Sequence, residues 1–229
     1  MPLALPPTDT VRLARTAGVL YVAVILLGIG SELGLRAPLL TPGDPTATWA
    51  ATTAGLGRLR LAILADTAMI LADVGLAILF FALLRHAGER IALTAMVLRL
   101  IQAALIGASL LALIGAADLA VGGRAEAAPT ILTLFEVHGI GYDLGLVFFG
   151  VNTGLTALLL SRAGLGPRWL PALLWAAAAV YLAGSLTRLG WPGVNALIQP
   201  AYAVPVIAET ALAVVLLTGL ARQDRQLSA

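Results

Sequence analysis

The chain has 229 residues, of which 60% are apolar and 11% charged, with a mean hydropathy of +0.97 and a net charge of +2. Soluble domains carry about 25% charged residues, so intrinsic disorder and a water-soluble globule are excluded, and so small a net charge excludes a nucleic-acid partner. There is no Cys, all 14 basic residues are Arg and there are two His, which leaves no parts for disulfides, iron–sulfur clusters, Schiff-base or P-loop chemistry or a His-rich metal centre, and no cofactor is expected.

A hydrocarbon core of about 30 Å needs about 20 apolar helical residues. Six stretches qualify, predicting an all-α polytopic transmembrane bundle in one domain over residues 1–229. The first, Leu13–Leu33, follows Arg12 and Arg15, ends in Glu32, and reads as an anchor because it is long for a leader and lacks a small-residue cleavage site. After Pro38–Pro45, Asp44 followed by Pro45 is a helix-start signal. It predicts a short interfacial helix over Thr46–Gly55 in the first external loop, with Trp49 as its anchor. The second span, Arg60–Leu84, holds Asp66 and Asp73, and a tight turn at Arg85–Arg90 leads into Ile91–Ala120, which holds Arg99 and Gln102. After Gly122–Pro129, the fourth span, Ile131–Leu160, holds Glu136, His138 and Asp143. Its Gly141-x-x-x-Gly145 and Gly150-x-x-x-Gly154 patterns favour close helix packing. Beyond Ser161–Arg168, Leu170–Leu189 carries Tyr181, Ser185 and Arg188. Beyond Gly190–Asn195, Leu197–Ala221 carries Tyr202 and Glu209. Trp169, Trp175 and Trp191 sit near helix ends, as further interfacial anchors do.

With the N-terminus inside, eight Arg (12, 15, 85, 90, 162, 168, 222 and 225) fall on the cytoplasmic side and five (36, 58, 60, 124 and 188) opposite. This bias predicts both termini in the cytoplasm, and the expected address is a bacterial cytoplasmic (inner) membrane.

A charged group in hydrocarbon costs at least about 2.5 kcal/mol, so such residues face protein or water. Asp66 and Asp73, Glu136 and Asp143, Tyr181 and Arg188, and Tyr202 and Glu209 are each seven residues apart, a step that returns to nearly the same helix face. Four such stripes predict a shared polar interior, with His138 pointing away from the Glu136 stripe. Because few polar residues fall in the cytoplasmic half, the interior is expected to open outward. Reflection about Gly88 places Asp73 level with Gln102 and Arg99, predicting an Asp73–Arg99 pair, and Arg188 is expected to neutralise Glu32, Asp66 or Glu136. Six carboxylates, at Glu32, Asp66, Asp73, Glu136, Asp143 and Glu209, still exceed the bases by two even with Arg58 and Arg60 included. Protonation or a bound cation would balance that surplus.

The candidate ligand-binding set is therefore Glu32, Asp66, Asp73, Arg99, Gln102, Tyr181, Ser185, Arg188 and Glu209. Glu136, His138 and Asp143 are candidates for acid–base catalysis. They are also the candidates for a metal, although their helical phases disagree.

Several segments resemble a bacterial membrane family, domain of unknown function 4386: Gly28–Ile29–Gly30–Ser31–Glu32, Pro42–Gly43–Asp44, Asp66 with Asp73, Leu98–Arg99–Leu100–Ile101–Gln102, and the run from His138 through Gly141, Tyr142 and Asp143 to Gly150. The resemblance covers nearly the whole chain. It implies a polytopic membrane protein and assigns no activity or catalytic residue. Three functions are expected in this order: binding of a lipid, a lipophilic small molecule or a cation; acid–base chemistry on a lipid or isoprenoid; and cation- or proton-coupled transport. Membrane lipids are the expected partners, and the sequence fixes no oligomeric state.

Overall fold

A computed structural model describes residues 7–219, and every element among them is helical. Six helical segments are long and apolar enough to cross a membrane: Asp9–Leu39, Leu56–Ala87, Glu89–Val121, Ala125–Ala163, Trp169–Gly190 and Pro192–Thr218. The elements are α1 (Pro7–Ile29), α2 (Pro45–Ala54), α3 (Leu56–Leu84), α4 (Glu89–Val121), α5 (Ala128–Ala163), α6 (Trp169–Gly190), α7 (Pro192–Ile198) and α8 (Ala203–Val214).

The ends of these helices follow from local chemistry. Asp44 caps α2, its Oδ1 accepting from the Ala47 N–H at 2.9 Å, with Pro45 in the first turn. Gly164 closes α5 in the left-handed conformation at φ 63°, and the Leu165 N–H bonds back to the Leu160 carbonyl at 3.2 Å.

Two elements differ from the sequence reading. The first span does not stop at Leu33. It continues through a π-helical turn, Gly30–Arg36, and a 3-10 turn, Ala37–Leu39. The last span starts earlier than Leu197, because Gly190–Asn195 is not a loop: Trp191 is the one non-helical residue before α7. A 3-10 segment, Gln199–Tyr202, separates α7 from α8. Pro200 and Pro205 lack the N–H that an unbroken helix would use there. The expected end at Ala221 lies outside the described residues.

Helix α5 is the hub. Its small residues meet two partners, Gly141 and Gly145 against Ser109 and Ile106 of α4, and Gly150 and Gly154 against Leu182 and Trp175 of α6. One apolar cluster, with Ala14, Leu76, Leu83, Leu159, Leu174 and Leu212, fills the end of the bundle where α1 and the last helical turn meet through Gly18 and Leu217. A second cluster, with Leu39, Leu59, Leu113, Ile131 and Phe135, fills the opposite end beneath α2. Trp49 is half-buried against this second cluster, whereas Trp169, Trp175 and Trp191 are exposed. The buried charges lie between the two clusters.

Candidate functional site

The α3–α4 hairpin brings Asp73 and Arg99 together as its register requires. Arg99 donates from both Nε (2.8 Å) and Nη2 to the same oxygen, Asp73 Oδ1. Three rings close around the guanidinium, Phe149 at 5.1 Å, Tyr21 at 5.3 Å and Phe80 at 5.5 Å, so cation–π attraction holds it from the remaining sides. Asp73 Oδ2 is left without a hydrogen-bond partner, as is Gln102 Oε1. From α6, the Tyr181 hydroxyl donates to Glu209 Oε1 on α8, and Tyr181 stacks edge-on between Phe149 and Tyr202.

A second ionic group lies nearer α2. Arg36 is buried and donates to Asp66 Oδ2, to Glu32 and, at 3.1 Å, to Ser31 Oγ. Ser31 Oγ in turn donates to the Ala62 carbonyl. Ser31 and Arg36 are five residues apart, the hydrogen-bond span of a π-helix, and the π turn brings them together. Arg188 pairs with Asp143, Nε to Oδ2, at 2.9 Å.

His138 completes this level. Ser109 Oγ lies 2.7 Å from the Ile106 carbonyl and 3.0 Å from His138 Nδ1. A hydroxyl has one proton. Given to Ile106, it obliges Nδ1 to carry the ring proton and donate to Ser109. His138 Nε2 is then a bare acceptor, buried and without a partner.

Two cavities open onto these groups. A vestibule of about 270 Å³ is lined by Glu32, Arg36, His138, Tyr142, Asp143 and Arg188. A deeper chamber of about 410 Å³ has apolar walls that include Val24, Ile25, Met69, Phe149 and Val206, and a polar floor of Asp73, Gln102, Tyr181 and Glu209. Glu32, Tyr142, Leu146, Gln199 and Tyr202 line both, so the two are contiguous. The chamber's rim carries exposed apolar side chains from the first span and α8: Ile29, Leu33 and Val206. Beneath Arg99 the bundle tightens to a void of about 10 Å³ beside Asn152 and Thr156, about the space of one water.

Several residues are not where spacing placed them. Glu136 is exposed, whereas His138 is buried and lines the vestibule. The two had been expected the other way round. His138 faces Ser109 of α4, and Asp143 is paired with Arg188 of α6. Arg188 pairs with Asp143 and not with Glu32, Asp66 or Glu136. Arg36 takes the role expected of it. Ser185 and Asp66 are buried but line neither cavity. Among the described residues, no three His, Asp or Glu side chains gather as a metal cluster, and Glu136, His138 and Asp143 do not converge.

Arg36, Ser109, Tyr142, Gln199 and the rings around Arg99 are the site residues that spacing missed. For Arg36 a signal was present, since Glu32 and Arg36 are an i,i+4 ion-pair spacing.

Six apolar crossing helices gathered around buried ionic groups define a multi-pass integral membrane protein. The chain belongs to the family described as Domain of unknown function (DUF4386), whose model matches residues 16–219. It is also similar to an uncharacterized protein of Archaeoglobus fulgidus, 29% identical over 125 residues, a match covering 52% of this chain and 62% of the relative. The chain thus spans about three-fifths of the length of the curated relative it matches. No solved structure matches it.

Proposed function

We propose that this protein binds an amphiphile, a lipid or lipophilic small molecule whose head donates hydrogen bonds, within the cytoplasmic membrane and with its vestibule facing outward. One observation carries this reading: an apolar chamber rimmed by exposed Ile29, Leu33 and Val206 ends on buried acceptors that the protein leaves unpaired. A chamber of about 410 Å³ falls within the roughly 300–1,000 Å³ of small-molecule sites. Buried acceptors without donors are costly, and a donating head group relieves that cost while a hydrocarbon tail fills the walls.

The test is native mass spectrometry and thermal unfolding of protein purified from its own membranes. A co-purifying amphiphile is expected, and adding it back at 100 times its Kd raises stability by about 2.7 kcal/mol. Val206→Trp, at the exposed rim, is expected to remove the bound molecule and leave the fold intact. Failure of every lipid and amphiphile to bind or stabilise overturns the reading.

Acid–base chemistry on the bound molecule is a second reading, and His138 Nε2 favours it as an unpaired buried acceptor at the vestibule wall. Asp143 is its acidic neighbour there, and Glu136, being exposed, drops out. His138→Gln abolishing turnover of the bound molecule while preserving its binding is the expected result for that chemistry.

A further inference from the structure

We infer that the floor of the apolar chamber is an ammonium site, formed by Asp73, Glu209 and Gln102, and that the amphiphile is a lipophilic amine. The inference rests on the amphiphile reading above and narrows it to one head-group chemistry.

The first argument is the count of donors and acceptors. Arg99 places both of its donors on Asp73 Oδ1, and Oδ2 has no partner. Tyr181 takes Glu209 Oε1, leaving the other carboxylate oxygen for the chamber that Glu209 lines. Gln102 Oε1 has no partner either. The floor thus offers three acceptors from three helices. An ammonium carries three donors and no acceptor, and it matches that set. A hydroxyl brings one donor and a carboxylate brings none.

The second argument is charge. Two carboxylates, Asp73 and Glu209, line the floor, and one cation, Arg99, is paired with Asp73. Arg99 is fixed by Asp73 and by three aromatic faces 5.1–5.5 Å away, so it does not turn to serve Glu209. With both carboxylates ionised, one negative charge remains in a largely apolar chamber, where an uncompensated charge is costly. A cationic head closes that balance, and an anionic head would double the deficit.

The experiment uses the full chain in phosphatidylcholine nanodiscs, with empty nanodiscs as the baseline for partitioning. Dodecylamine, dodecanol and dodecanoate are compared by thermal unfolding and by calorimetric titration, alongside sodium and potassium chloride. Dodecylamine is expected to bind at least about tenfold more tightly than dodecanol, since hydrogen bonds to charged groups exceed neutral ones by that order, and dodecanoate is expected not to bind. Glu209→Gln keeps an oxygen for Tyr181 and removes the charge. It is expected to cut the preference for amine over alcohol by about tenfold, and a cooperative thermal unfolding transition without ligand shows that the variant is folded. Equal binding of amine and alcohol by the unaltered protein overturns the ammonium site and leaves the amphiphile reading standing. Failure of all three chains to bind overturns both. Sodium or potassium alone reproducing the stabilisation and displacing dodecylamine also overturns it, because the floor would then hold an inorganic cation.

Discussion

Removing the Arg36 guanidinium strands Asp66, which is fully buried, accepts from Arg36 through Oδ2, and has no partner at Oδ1. Deleting one member of a buried pair costs about 3–5 kcal/mol, whereas replacing both with apolar residues of similar size is nearly neutral. Arg36→Ala is therefore expected to lower the midpoint of thermal unfolding sharply, and the double variant Arg36→Met with Asp66→Leu to recover most of the loss. An Arg36→Ala protein as stable as the parent would show that the pair is solvent-screened and not structural. At this scale the sequence was legible where geometry is short-range and regular. Asp73–Arg99 followed from a two-helix hairpin and a tight turn. The contact between Arg36 and Ser31 was hidden because a helical phase of 3.6 residues per turn separates them, and the π turn that joins them has no composition signal. His138 and Glu136 were exchanged because phase along α5 says nothing about which neighbouring helix packs on each face.

At the scale of elements, the closeness of α4 and α5 depends on what is missing from the side chains between them. A Cβ built on Gly141 would lie 2.7 Å from Ser109 Cβ, whereas one on Gly34 meets nothing within 4 Å. Gly141→Val is expected to destabilise by about 1–3 kcal/mol through overpacking. It should also weaken ligand binding, because Ser109 holds the His138 ring. Gly34→Ala should change neither. Thermal unfolding of the two variants, with a binding titration, checks both statements. The six spans, the hairpin turns and the cap at Asp44 were all readable from hydropathy, glycine and proline. The division of the last span into α7 and α8 was not, because its apolar residues run on past Pro200 and Pro205.

For the whole molecule, the structure sharpens the Arg argument for orientation. Arg36 and Arg188 are engaged by carboxylates. That leaves Arg58, Arg60 and Arg124 at the α2 end against Arg12, Arg15, Arg85, Arg90, Arg162 and Arg168 at the other. Arg222 and Arg225 lie outside the described residues. We propose that the α2 end is extracytoplasmic. The chain has no Cys, so single cysteines report cleanly. Thr46→Cys and Ala125→Cys, both at exposed positions, are expected to react with a membrane-impermeant maleimide in intact cells, and His86→Cys only after permeabilisation. The reverse pattern would invert the topology and place the vestibule on the cytoplasmic side. The rim formed by Ile29, Leu33 and Val206 has a further consequence. A guest that arrives between α1 and α8 comes from among the acyl chains, so occupancy follows its mole fraction in the bilayer and not its molarity in the buffer. Below saturation, doubling the lipid at a fixed dose of a strongly partitioning guest halves the fraction of protein filled. Affinities for this protein therefore become comparable between preparations only when expressed per lipid.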